Sequence, residues 1–133
     1  MKMLERVPIF SGLTQKELRS VASSSKEKKF QAGETVVSEG ESGVGFFLII
    51  EGRAEVRRGG KVLSKLGEGQ FFGEMTLLDE QPRSADVVAV EATRCLIFTV
   101  WDFHGMIRTY PKMAREIMKE MARRLRLTNK SFS

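Results

Sequence analysis

A chain of 133 residues fits one domain with room for a single hydrophobic core, and a second domain is not expected. With 41% hydrophobic and 29% charged residues it reads as a soluble globular chain, and its longest apolar stretch, Val44 to Ile50, is strand-sized, far short of the roughly 18 residues of a membrane span. The net charge of +5 raises nucleic acid as a partner, but much of the excess lies in KEKK at 26–29 and in the C-terminal KEMARRLRLTNK, patterns that more often make solvated faces.

One cysteine and one histidine exclude an internal disulfide, a zinc site and an iron–sulfur cluster. Cys95, in RCLIFTV, reads as a small buried thiol in a strand. The N-terminal MKMLERVPIF carries a charge every few residues and no apolar h-region, so no secretory signal is expected and a cytoplasmic location is the default.

The first 25 residues read as helical. Val7, Phe10 and Leu13 fall at helix-like spacing, and TQKE at 14–17 is a capping box that predicts a short helix from Thr14 to about Ser23. From Lys29 to Val100 the pattern changes to short strands punctuated by glycines, the signature of a sandwich or barrel. FFLII at 46–50 is a continuous apolar run that suits a strand covered on both faces, and TVVSEG and TRCLIFTV read as further strands. AEVRRGGKVLSKL alternates on both sides of Gly59 and Gly60, a pair that supplies the positive φ angles of a two-residue hairpin turn.

After Val100, Asp102 is the expected cap of a short helix through about Ile107, and Pro111 suits the first turn of a longer helix to about Thr128. In the longer helix Ala114, Met118, Met121, Leu125 and Thr128 recur at spacings of four, three, four and three, a coiled-coil seam that suggests a homodimer. Met113 and Ile117 make a second stripe. The alternative is that both stripes pack on their own domain.

FFGEMTLLDEQPRSADVVA, residues 71–89, places Glu74 and Arg83 in mostly apolar or small company. Buried charges are costly unless they are paired or meet a ligand, so the stretch is either an internal ion pair or a binding site. In the second case Gly73 opens one short helical turn whose free N–H groups attract an anion, and Arg83 reaches the same anion with its planar fork. Glu74, a pure acceptor, then suits a sugar hydroxyl. Phosphate and ribose hydroxyl within one loop describe a compact nucleotide; an ion pair that only staples the loop remains the alternative.

The segment FGEMTLLDEQPRSADVVA resembles the phosphate-binding cassette of cyclic nucleotide-binding domains, whose pattern is F-G-E, small or apolar residues, a spacer, then P-R-S/A-A and an apolar strand. GETVVSEGESGVGFFLIIEGRAEV and LGEGQFFGE are similar to the family's preceding strands, and the resemblance covers about Phe10 to Thr128. The family includes the sensor domains of bacterial catabolite activators and the regulatory subunits of cAMP-dependent kinases. It implies a mainly β fold with flanking helices: a double-stranded β-helix, or jelly-roll barrel, with N-terminal helices and a long C-terminal helix. The whole chain, 1–133, would be a single domain, with a helical segment at 1–28, the barrel at 29–100 with its cassette at 72–86, and C-terminal helices at 101–133.

The resemblance also implies roles. Gly73 and the N–H groups after it would cradle the cyclic phosphate, Glu74 would accept from the ribose 2′-hydroxyl, and Arg83 would pair with the exocyclic phosphate oxygens, with Ser84 adding a hydroxyl. MARRLRLTNK is similar to the long helix of the bacterial activators, which makes Thr128 the base contact and lets Asn129 reach the base bound in a partner subunit. Phe72, Met75, Thr76, Ala85 and Arg124 complete the implied ligand-binding set. Thr76 stands where the family usually has alanine or serine. The Thr128 match favours cAMP, with cGMP as the alternative because Ser84 can also meet a guanine amino group. No metal, no further cofactor and no membrane partner are implied.

Bacterial activators continue into a DNA-reading domain and this sequence ends at Ser133, so no DNA contact is expected from this chain alone; it is either a solitary sensor or the sensor part of a larger regulator. Catalysis on nucleotides would need a metal pair or a nucleophile with its base, and His104, in a DFHG turn far in sequence from the cassette, does not offer one. A non-binding variant that only dimerises would be expected to lose the acid or the arginine, and both are present.

Overall fold

The computed structural model describes residues 2–40, 45–73 and 85–130, the side chains of 2, 3 and 128–130 excepted. At the N-terminus α1 (Lys2–Glu5), a single 3-10 turn (Pro8–Phe10) and α2 (Gln15–Ser23) follow one another. The continuous helical character expected from the Val7, Phe10 and Leu13 spacing is interrupted at Pro8, which has no N–H to continue a helix. The break lets Val7, Ile9 and Phe10 all turn inward, each at most 3% exposed. The capping box of α2 forms as its sequence predicts: Glu17 N donates to Thr14 Oγ1 at 3.2 Å, and Thr14 N donates to Glu17 Oε1 at 2.8 Å.

The strands described are β1 (Lys26–Phe30), β2 (Thr35–Val37), β3 (Phe46–Glu51), β4 (Ala54–Arg58), β5 (Lys61–Leu66), β6 (Phe71–Phe72), β7 (Asp86–Ala89) and β8 (Thr93–Phe98). They form two antiparallel four-stranded sheets, β1-β8-β3-β6 and β2-β7-β4-β5, and this interleaving is the jelly roll. The first strand starts at Lys26, three residues before the expected barrel edge. KEKK carries no apolar alternation to announce it; its place comes from pairing with β8, where Arg94 donates to Glu27 and Glu51 on either side at 2.8 Å each.

The apolar run of β3 divides between two cores. Phe46, Leu48 and Ile50 point to the helices, Phe47 and Ile49 to the opposite sheet, which is why the run is continuous rather than alternating. Phe46 is the hub of the first core: its ring centre lies 4.8 Å from Phe103, 5.3 Å from Phe71 and 6.0 Å from Phe98. Burying each such ring stabilises by roughly 1.5–3 kcal/mol, so this cluster ties β3, β6, β8 and the first C-terminal helix into one unit. In the β4–β5 hairpin Gly59 and Gly60 take φ of 56° and 78°, as a type I′ turn demands.

Two helices close the chain, α3 (Val100–Thr109) and α4 (Pro111–Lys130). Asp102 is not the cap of α3: Thr99 is, its Oγ1 accepting from Asp102 N at 3.1 Å, and Asp102 sits in the first turn. His104 lies inside this helix, edge-on to Phe103 at 5.9 Å, rather than in a turn. The two stripes of α4 separate only in part, since Ala114 and Met121 of the expected seam are half-buried, Met121 against the first core. Met113 and Ile117 are 0% and 2% exposed against the core, whereas Met118 and Leu125 are 62% and 61% exposed. Among the described residues no helix is long and apolar enough to cross a membrane.

Candidate functional site

β6 is only two residues long, Phe71–Phe72. Before it, Gly67 N donates to Gln70 Oε1 at 2.7 Å and Gly69 N to Ile49 O at 2.7 Å, while Ile49 N returns a bond to Gln70 O at 2.9 Å, so the approach to Phe71 is tied to β3. Phe72 is 6% exposed and stacks on Phe47 with 4.9 Å between ring centres. At Gly73 the backbone takes φ 92°, a conformation that residues with a Cβ rarely adopt, and the chain leaves the sheet there. Ala85 returns it, 7% exposed, just ahead of β7. Glu74, Met75, Thr76, Arg83 and Ser84, together with the short helix and the ion pair considered for this loop, lie outside the described residues.

Facing β6 is the C-terminal half of α4. Arg124 reaches across to it: Nη2 donates to Phe71 O at 2.7 Å, and the guanidinium carbon lies 4.5 Å from the centre of the Phe71 ring. Nε of the same side chain donates to Glu120 Oε2 at 3.0 Å. Thr128 and Asn129 continue the helix one turn beyond, their side chains outside the described residues.

Between the β4–β5 hairpin, β6 and this helix lies a cleft of about 550 Å³, within the roughly 300–1,000 Å³ of small-molecule sites. Its walls combine Val56, Leu63, Leu66, Phe72 and Leu127 with the polar Ser64 and Gln70 and three cations, Lys65, Arg123 and Arg124; no carboxylate is among its described lining residues. An apolar slot edged by positive charge suits a ligand with a flat apolar body and an anionic group. Phe72 and Arg124, both in the implied ligand-binding set, line the same cleft, together with Leu63, Lys65, Arg123 and Leu127, which were not in it. Leu63 and Leu127 are large apolar residues left 46% and 51% exposed, which marks them once the chain is folded.

Elsewhere the polar chemistry is structural. Burial pushes the Cys95 thiol up to about 12, which leaves it protonated and inert at neutral pH. No group of three or more metal-ligating side chains occurs among the described residues.

Comparison with known proteins agrees with this geometry. The family model for the cyclic nucleotide-binding domain matches residues 27–110, more than half of the chain. A cAMP-dependent protein kinase regulatory subunit of Mycosarcoma maydis is 43% identical over 96 residues, 69% of this chain and 18% of that protein. The cyclic AMP receptor protein of Thermus thermophilus is 36% identical over 124 residues, 90% of this chain and 57% of that one. The crystal structure of the Thermus thermophilus catabolite activator protein superposes with a TM-score of 0.84 at 34% identity, covering 94% of this chain and 61% of the solved one. The chain thus spans less than two thirds of the length of each of these relatives. A family model that matches more than half of the chain, two such relatives and the same fold make this chain a member of the cyclic nucleotide-binding domain family.

Proposed function

We propose that the chain is a cAMP-binding regulatory module that takes the nucleotide into the cleft between β6 and α4 and signals by repositioning α4. The observation that carries this reading is the cleft itself, an apolar slot with three cations and no described carboxylate, lined by Phe72, the residue before Gly73 with its φ of 92°. Gly73 and the following N–H groups cradle the cyclic phosphate, Arg83 and Ser84 bind its exocyclic oxygens, and Glu74 accepts from the ribose 2′-hydroxyl. Val56, Leu63 and Leu127 offer apolar surface to the base, and Thr128 hydrogen-bonds it. The module binds and does not catalyse.

The proposed movement of α4 is supported by its place on the cleft wall, where Arg123, Arg124 and Leu127 lie. A ligand shifts a two-state equilibrium only as far as it prefers one state, and a nucleotide held by both the barrel and α4 prefers the state in which the two are close. A homodimer through α4 is supported by Met118 and Leu125, one heptad apart and exposed, on a face beside the one that buries Met113 and Ile117. Asn129 would then reach the base in the partner subunit. Because the named relatives are longer, the module can also serve as the sensor part of a larger regulator. Calorimetric titration with cAMP and with cGMP tests the reading: cAMP is expected to bind more tightly, and absence of binding by either at millimolar concentration refutes it.

A further inference from the structure

Glu120 stands outside the nucleotide cleft, on a second cleft of about 410 Å³ beside Pro8 and Ile9, yet it holds both arginines that border the nucleotide cleft. Its Oε1 accepts from Arg123 Nε at 2.7 Å, and its Oε2 accepts from Arg123 Nη2 at 2.7 Å and from Arg124 Nε at 3.0 Å. Spacings of three and four along one helix face make this geometry possible. With Nε so engaged, the fork of Arg124 is turned toward β6, where Nη2 meets Phe71 O at 2.7 Å.

The location matters because apolar packing fixes only the first part of α4. Met113 and Ile117 are buried, Met121 is half-buried against the same core, and no described side chain after Ile117 is buried. The turns that carry Leu127 and Thr128 lie past that packing, and Arg124 attaches them to the barrel at Phe71, two residues ahead of Gly73.

We propose that Glu120 is a positioning residue for nucleotide binding: by pinning Arg124 it sets how the last turns of α4 stand over the cleft, so that the helix and the approach to the cassette move as one. This rests on the nucleotide reading above, but the clamp itself is testable without ligand. It differs from an ordinary surface pair. Glu120 and Arg124 are 21% and 28% exposed, and the one carboxylate accepts three bonds, two from Arg123 and one from Arg124, whereas Lys119 and Glu116, one turn earlier, make a single 3.4 Å contact with the lysine 61% exposed. Hydrogen bonding from Arg123, opposed by desolvation and joined by Arg124, holds the Glu120 carboxyl below the usual carboxylate range, so the clamp is intact at neutral pH.

Glu120→Gln keeps the shape and removes the charge; Glu116→Gln removes the same charge one turn away as a control. Amide hydrogen exchange of the ligand-free protein is expected to speed up at residues 122–130 in Glu120→Gln, with 111–118 unchanged and Glu116→Gln like wild type. Affinity for cAMP is expected to fall about five-fold in Glu120→Gln alone, the scale of one partly exposed charge-assisted hydrogen bond. Unchanged exchange at 122–130 overturns the proposal, as does an equal effect in the control. If exchange responds as expected while wild type binds neither nucleotide, the clamp stands and the nucleotide reading falls.

Discussion

Arg124 meets Phe71 twice, at the ring and at the carbonyl: the guanidinium carbon lies 4.5 Å above the ring centre and Nη2 donates to the carbonyl at 2.7 Å. The same ring lies 5.3 Å from Phe46 at the hub of the core. The long helix, the start of the cassette and the core are therefore linked through one aromatic side chain. Arg124→Lys keeps the charge but not the flat fork that can bond Glu120 and Phe71 together. It is expected to weaken cAMP binding by about tenfold, of the order of one charge-assisted hydrogen bond, with a melting temperature close to wild type because the buried packing is untouched. Calorimetry and a thermal melt check the two halves.

Gly73→Ala places a Cβ on a backbone at φ 92°. Strain of roughly 1–3 kcal/mol is expected, relieved only if the backbone at Gly73 changes, which would displace the phosphate cradle proposed there. Chemical denaturation should show the loss of stability, and the titration should show weaker cAMP binding; a variant as stable and as tight as wild type contradicts the place given to Gly73.

Met118→Glu and Leu125→Glu put charges on the exposed stripe of α4 while leaving Met113 and Ile117 in the core. Sedimentation velocity is expected to show a dimer for wild type and a monomer for the double variant, with an unchanged circular dichroism spectrum. A wild type that is monomeric with and without cAMP removes both the dimer and the role of Asn129.

Cys95 is 0% exposed, and its thiol is pushed up to about 12 by burial. Unfolded, a thiol titrates near 8.5, so the folded state keeps a proton that the unfolded state releases. Stability is therefore fully present below about pH 8.5 and falls as pH rises toward 12, by at most ~1.4 kcal/mol per pH unit from this group. Denaturation between about pH 9 and 10.5 should show that extra slope in wild type and not in Cys95→Ala, and the native thiol should react with iodoacetamide only at the rate of unfolding.

How much of this was legible in the sequence depends on how local the cause is. The Gly59–Gly60 turn and the Thr14 capping box were legible because a few adjacent residues determine them. The split of β3 between two cores followed from an unbroken apolar run. Thr99 and Asp102, in contrast, are both capping residues three apart, and which one caps is decided by where β8 releases the chain. β1 was hidden because its charges answer Arg94, distant in sequence. The cleft drew Phe72 and Arg124 from the cassette pattern and the helix motif, but Leu63, Lys65 and Arg123 join it only once the hairpin and α4 are folded against β6.

The assignment of the phosphate to the cassette is tested most directly by calorimetric titration of cAMP into wild type and Arg83→Ala. If Arg83 pairs with the exocyclic oxygens as proposed, removing its guanidinium should weaken binding by about 100-fold or more, since the phosphate would lose a counter-charge. Equal affinity in the two proteins would contradict the assignment.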